Sequence, residues 1–413
     1  MRILYLSQYF PPEAGATQTR AYEMASNWVR LGHSVTMLTE VPNHPSGIIQ
    51  PEFKNKLYQR DQLDGINVLR LWVAASPSKN FRARMAFYLS YMLHAAWAGI
   101  FENGSFDLIY ASSPPLFVGG AALAISYWRK IPLAFEVRDL WPESAVALGE
   151  LKNQRAIRLA TWLEEACYKR AQVIITAANG MRERLIERGQ TSQKIHLVDN
   201  GANTELFQFN PDARNRLRQE LNLGAKFTFA YTGIFGLAQG LEVVIEAAEI
   251  LRQNPDLHFL LIGAGPKREE LLHMAQERNL PNLTILPEKP REEIPGYLSA
   301  ADAAVIPLKD LAIFRGVVPS KLFDAWACER PVILGVDGEA RRLLEEADGG
   351  IYVPPENPKL LAEAAIKMAS MSASTRLDMG KKARQMTVQR FSRRSQAEYL
   401  VNLLESSLLS SKT

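Results

Sequence analysis

The chain has 413 residues, enough for two or three domains, and its 47% hydrophobic and 22% charged residues are those of a folded globular protein rather than a disordered or fibrous one. The formal net charge is +4, and residues 1–100 alone hold ten Lys/Arg against six Asp/Glu, so the remaining three quarters are neutral. That distribution excludes a nucleic-acid protein and confines any attraction to acidic partners to the N-terminal part.

The first element is an apolar run at 2–6, directly after Met1, with no leader read ahead of it. Further β-rich runs follow at 34–38, 67–71, 107–111, 132–136, 172–176 and 194–198, alternating with helical patterns as a parallel sheet with crossover helices requires. Within this half, 85–101 is a stretch of seventeen residues without Asp, Glu, Lys or Arg, entered through Lys79, Arg82 and Arg84. It reads either as a buried helix or as a membrane-surface attachment through residues 79–101, with Tyr88, Tyr91, Trp97 and Phe101 at the interface.

A second series of strands starts at 227–232 and continues at 257–262, 282–286, 302–306, 331–334 and 350–353. Two doubly wound α/β domains are therefore expected. Asn200-Gly201 and Asn210-Pro211 supply turn signals between the two series. Helical patterns at 358–371, 374–389 and 392–409 close the chain, and the last is surplus to the second sheet. The expected division is 1–205, 206–389 and a final helix at 390–413 that crosses back to the first domain. Cys167 and Cys328 lie far apart inside helical patterns, which gives no disulfide framework or metal knuckle and suits a reducing cytoplasm.

Several turns carry candidate chemistry. Pro319-Ser320-Lys321 opens a short helix on which Lys321 and Asp324 share a face near the N-terminus, which reads either as an anion site favoured by the free N–H groups or as an exposed ion pair on a surface helix. Gly233, Gly236 and Gly240 follow a strand and precede a helical pattern, which reads either as backbone N–H groups free to approach phosphate oxygens or as plain strand-to-helix turn geometry. Gly263-Ala264-Gly265-Pro266 lacks the third glycine of a dinucleotide fingerprint and reads as a site for close approach of a nucleoside or as a plain tight turn. In the first half, Pro11-Pro12-Glu13-Ala14-Gly15-Ala16-Thr17 sits at the carboxyl edge of the first strand, where open α/β sheets bind ligands. The segment Glu136-Val137-Arg138-Asp139 gathers charges at a strand end, suited to a reacting hydroxyl or diphosphate, or else to a structural ion pair. Common metal, NTPase and esterase signatures are absent, and neither a metal nor a cofactor is expected.

Together these segments resemble the retaining glycosyltransferases of family four, over nearly the whole chain. The resemblance rests on Ser7-Gln8-Tyr9-Phe10-Pro11-Pro12-Glu13-Ala14-Gly15, Val137-Arg138-Asp139-Leu140-Trp141-Pro142-Glu143, Asn200-Gly201, the 233–240 loop, Ala301-Asp302 and Pro319-Ser320-Lys321. It is nearest in look to the branch with the fucosamine transferases of O-antigen and capsule assembly. It implies the GT-B architecture, two Rossmann-like domains facing a cleft, with the donor bound mainly by the second and the acceptor by the first. It also assigns the 233–240 loop to the donor diphosphate and Asp324 to the second acid of a Glu-x7-Glu motif. Three departures stand out: Gly316 replaces the first glutamate, Asp324 the second, and Gln239 a common phosphate-binding lysine, which leaves Lys321 or Arg315 to neutralise the diphosphate.

The expected activity is metal-independent transfer of a hexosyl-type sugar from a UDP-sugar to a hydroxyl of a cell-surface glycan or lipid-linked acceptor, in the cytoplasm at the inner face of the plasma membrane. Retention of configuration follows from the resemblance alone. A UDP-sugar epimerase of the same architecture and an inactive carbohydrate-binding relic are the alternatives. Expected donor residues are Gly233, Gly236, Gln239, Gly263, Gly265, Arg315, Lys321 and Asp324. Asp139 and Arg138 are expected at the reacting hydroxyl, and Glu13, Gly15 and Ala16 on the acceptor side.

Overall fold

In the computed structural model, residues 1–410 are described apart from 14, 44, 45 and 79, and the strands form two separate sheets. Ala14, Lys79 and residues 411–413 thus lie outside the described residues. The chain divides into two units, residues 1–199 with the segment from 394 onward, and residues 200–393.

The first unit runs β1 (Arg2–Leu6), α1 (Ala16–Arg30), β2 (Ser34–Glu40), β3 (Tyr58–Leu63), β4 (Ile66–Leu71), α2 (Phe81–Phe101), β5 (Leu108–Ser113), α3 (Phe117–Arg129), β6 (Leu133–Val137), α4 (Glu143–Ala147), α5 (Gln154–Arg170), β7 (Val173–Thr176), α6 (Asn179–Glu187) and β8 (Ile195–Leu197). Its eight strands lie in the order β3-β4-β2-β1-β5-β6-β7-β8. All neighbours are parallel except β3, which pairs antiparallel with β4 at the edge. The inner strands are buried along their length, as the continuous apolar runs of parallel sheets require. Strand β3 is absent from the sequence reading because YQRDQL is polar and alternates between exposed and half-buried positions. The signal for it is Asp64-Gly65, both at positive φ, which join it to β4 in a two-residue hairpin.

Three helices of this unit pack closely because glycines face larger side chains. A Cβ on Gly99 would lie 2.3 Å from the Ile125 side chain, one on Gly119 2.5 Å from Cys167 Sγ, and one on Gly120 2.5 Å from Met92 Sδ. Helix α2 is only partly inside: Tyr91, Ala95, Ala98 and Gly99 are buried. Of the four aromatics expected at an interface, Tyr91 is in the core with its hydroxyl donating to the Leu38 carbonyl, and Tyr88 is stacked on Phe117; Trp97 and Phe101 are exposed. Arg84 pairs with Glu150, so it is not a free cation at the entry to the helix. Among the described residues, no helix is long and apolar enough to cross a membrane.

The second unit runs α7 (Pro211–Glu220), β9 (Phe227–Thr232), α8 (Glu242–Ile250), β10 (Leu257–Ile262), α9 (Arg268–Glu277), β11 (Leu283–Leu286), α10 (Ile294–Ala300), β12 (Ala303–Pro307), α11 (Ser320–Ala327), β13 (Val332–Gly335), α12 (Glu339–Ala347), β14 (Gly350–Tyr352), α13 (Pro358–Ser370) and α14 (Ala373–Arg390). Its six strands are all parallel, in the order β11-β10-β9-β12-β13-β14. Alternate residues serve opposite faces: Phe229 and Tyr231 join the core under α8 and α13, while Ala230 joins the one with Phe323 and Trp326 of α11. A sheet covered on both faces is the doubly wound arrangement.

The last helix, α15 (Arg393–Ser410), returns to the first unit. Ala397, Leu400, Val401 and Leu404 enter the core with Ile3, Tyr5 and Trp28, and the Trp28 indole donates to the Ala397 carbonyl at 2.9 Å. Leu404→Ala is expected to destabilise the protein by about 2–5 kcal/mol in urea unfolding. A loss below about 0.5 kcal/mol, the scale of a surface change, would contradict this packing.

Candidate functional site

In the second unit the site is built at the carboxyl ends of β9 and β10. Strand β9 ends in a loop whose N–H groups cross to the next turn: Gly233 donates to the Ile262 carbonyl at 2.9 Å and Phe235 to Ala264 at 2.7 Å. The reverse bond, Lys267 N–H to the Phe235 carbonyl, closes the pair of loops. A Cβ on Gly263 would fall 1.8 Å from the Gly233 carbonyl oxygen, and one on Gly265 2.5 Å from that of Phe235. The missing side chains at 263 and 265 therefore make room for the first loop.

Further along the loop, Gly240 adopts φ +57° and lies beside Lys309, whose N–H donates to the Ala238 carbonyl. Lys309 is not among the residues expected from sequence, since it follows a strand, stands seven positions from the nearest glycine, Gly316, and carries no motif. A Cβ on Gly236 would press on Gln239 Oε1, so Gln239 folds back over its own turn.

Helix α11 brings Lys321 to the same loop. Its Nζ donates to Tyr231 Oη at 3.1 Å, stands 4.8 Å from the centroid of that ring, and lies 3.3 Å from where a Cβ on Gly233 would be. Tyr231 is itself buried and fixed by donating to the Ile234 carbonyl at 2.7 Å. Burial pushes the Lys321 ammonium down to about 8, with Asp324 opposing. Asp324 is half-buried one turn further on. Arg315 is exposed, and among the described residues no hydrogen bond or ion pair joins its guanidinium to the loop; its carbonyl instead packs where Gly338 lacks a side chain. Gly316 ends a 3-10 segment, Ala312–Gly316, ahead of the helix.

In the first unit, the ion pair at the end of β6 is not Arg138 with Asp139. It joins Glu136 to Arg20 of α1 at 2.7 Å, with both side chains no more than 1% exposed. Arg20 also donates to the Val198 and Asp199 carbonyls, and Ser112 Oγ donates to the other Glu136 oxygen. Burial acts to raise the Glu136 carboxyl, yet Arg20, Arg138 and the hydrogen bonds outweigh it and hold the group below the usual range. Arg20 escaped the sequence reading because it looks like a surface residue of an amphipathic helix.

Arg138 is half-buried, with Nη2 donating to the Ala16 carbonyl at 3.3 Å, and its Nε and Nη1 have no hydrogen-bond partner among the described residues. Burial pulls its guanidinium below the ordinary range, Glu136 opposing and Arg20 adding to it. Asp139 accepts from Ser144 Oγ at 2.8 Å, and burial raises its carboxyl. Gly15 and Ala16 are exposed at the start of α1, so Arg138, Gly15 and Ala16 converge. Glu13 does not join them: it is buried and accepts from the Asn43 N–H, near Glu40, whose carboxyl burial and Glu13 hold well above the usual range.

Residues 15–201 match the glycosyl transferase 4-like domain, and residues 213–386 match glycosyl transferases group 1. The chain belongs to the glycosyltransferases. A putative colanic acid biosynthesis glycosyl transferase of Escherichia coli K12, WcaI, is 27% identical over 390 residues, covering 89% of this chain and 92% of that protein. The alpha-D-kanosaminyltransferase of Streptomyces kanamyceticus is 25% identical over 214 residues, 51% of this chain and 54% of its own length. Among solved structures, Anabaena HepE in complex with UDP-glucose superposes with a TM-score of 0.74 at 18% identity, covering 98% of this chain and 100% of HepE. Sucrose-phosphate synthase of Thermosynechococcus elongatus does so at 0.75 and 20%, with both chains fully covered. These likenesses establish the GT-B fold for the glycosyltransferase.

Gly263→Ala is expected to lower stability by about 1–3 kcal/mol, the scale of overpacking, because the Gly233 carbonyl has to move. Unfolding at wild-type denaturant concentration would contradict the loop contact.

Proposed function

We propose that this glycosyltransferase moves a sugar from a UDP-sugar to a hydroxyl of a cell-surface glycan or a lipid-linked acceptor, with retention of configuration. The observation that carries this reading is the Lys321 ammonium held against the Gly233 loop at the carboxyl edge of β9. UDP as the donor nucleotide is supported by the UDP-glucose bound in the similar HepE structure, and a polysaccharide acceptor by the colanic acid relative. The Val137–Glu143 and Pro319–Lys321 segments favour the fucosamine-transferase-like branch, working at the cytoplasmic face of the plasma membrane.

As the glycosidic bond breaks, negative charge develops on the leaving diphosphate, and fixed donors aimed at it lower the barrier. Lys321 supplies the cation, with Lys309 beside Gly240 as a second, and this reading calls for no metal. The N–H groups around Gly236 and the Gln239 amide donate to phosphate oxygens. Asp324 accepts from ribose hydroxyls. In the acceptor-side domain, the free Nε and Nη1 of Arg138 orient the incoming hydroxyl, and Asp139, its carboxyl raised by burial, takes part in its proton transfer. Gly263 and Gly265 act by shaping the loop, and Glu13 by holding Asn43. We assign donor binding to residues 206–389 and acceptor binding to 1–205, with 390–413 completing the latter.

The test is turnover with UDP-sugars, with and without a lipid-linked acceptor. Acceptor-dependent UDP release is expected; an isomerised donor would make the protein an epimerase, and no turnover with any sugar or acceptor would contradict transfer. Lys321→Ala is expected to weaken UDP binding by roughly 10–150-fold, the loss of one charged hydrogen bond. Unchanged affinity by calorimetry would remove Lys321 from the site.

A further inference from the structure

We propose that the outer face of α2, α3 and α5 in the first unit docks on an anionic membrane surface, as a composite of three helices rather than through residues 79–101 alone. Met92 against Gly120 and Gly99 against Ile125 set α2 and α3 side by side in the same direction. Gly120 near Leu163, with the Arg170 guanidinium 5.1 Å from the Tyr127 ring, does the same for α3 and α5. The aromatic ends of α2 and α3 therefore lie at one end of a continuous face.

That face is apolar. On α2, Leu93, Trp97 and Phe101 recur every four residues and are at least 60% exposed. On α3, Tyr127 and Trp128 are 66% and 70% exposed, and on α5 Leu159 and Trp162 are 66% and 65% exposed. Single exposed hydrophobics are ordinary, but this many on three adjacent helices form a patch that water alone does not favour.

Charge selects the occupant. Arg155, Arg158 and Lys169 lie on the same outward stripe of α5 as Leu159 and Trp162, and Arg82 is exposed at the start of α2. Helices α2 and α3 contain no acidic residue, and the two acids of α5, Glu164 and Glu165, are both turned to Arg188. Tryptophan and tyrosine rings beside cations, with the acids at the two ends of α2, Glu150 and Glu102, paired to Arg84 and Arg60, match the headgroup boundary of an anionic bilayer. Because the inner side of α2 is in the core, the helix lies along such a surface and does not enter it lengthwise.

The inference is independent of the donor reading, and its test uses no substrate. Flotation of the whole chain with vesicles of phosphatidylcholine and phosphatidylglycerol, against phosphatidylcholine alone, is expected to show binding to the anionic vesicles that weakens with salt. Arg155→Gln with Arg158→Gln should lower the partition coefficient roughly thirtyfold. Trp128→Ser with Trp162→Ser should lower it at least about tenfold. Both pairs are exposed, so thermal melts should remain those of the wild type. No binding of the wild type to phosphatidylglycerol vesicles, or undiminished binding by both folded variants, overturns the proposal. A lipid-free dimer that the tryptophan pair abolishes overturns it too, by showing a second copy on this face.

Discussion

The distance of 1.8 Å between the Gly233 carbonyl oxygen and the place of a Cβ on residue 263 is a steric limit on which the ligand edge of the second unit depends. Only with glycine at 263 do the two loops after β9 and β10 exchange their backbone hydrogen bonds. The exchange fixes Phe235 and, through Tyr231 and the Ile234 carbonyl, the wall that Lys321 leans on. The consequence is electrostatic. A cation held by a tyrosine ring and hydroxyl in a partly dry place is less stable than in water, and a nearby phosphate offsets that loss more strongly than it would at the surface.

The first unit uses a different device for the corresponding edge. A buried arginine–glutamate pair joins α1 to β6, and its guanidinium also ties down the backbone after β8. Such a pair is weak evidence of net stability, but removing one partner would leave the other charge buried and uncompensated. Its effect here is positional: with Glu136 satisfied by Arg20 and Ser112, Arg138 is left to reach toward the start of α1 with two donors in hand. At these two edges Lys321 and Arg138 are cations that the neighbouring acids do not fully satisfy.

What the sequence made legible follows physical range. The parallel strands are contiguous apolar runs, and the positions of all thirteen expected strands overlap observed ones. The polar edge strand β3 was hidden because nothing packs on it from both sides. The Pro319–Asp324 helix and the 233–240 loop were legible as local patterns. The partner of Lys321 was not, since Tyr231 is 90 positions away and served the reading only as a strand residue. For the same reason the charges at 136–139 left open which of them is ion-paired, while Arg20, 116 positions from Glu136, looked like solvent-facing charge. The apolar stretch before residue 101 was seen as one helix, whereas its exposed stripe gains meaning only beside Trp128 and Trp162.

The most direct measurement of the central account is the pH dependence of UDP binding. In the free protein, burial holds Lys321 at about 8; a bound diphosphate raises it, so binding takes up a proton as pH exceeds that value. Calorimetry should show full affinity below about pH 8 and a fall of about tenfold per pH unit above it, with proton uptake in buffers of different ionisation heat. A flat affinity between about pH 7 and about 9, with no proton exchanged, would contradict the placing of Lys321 on the diphosphate.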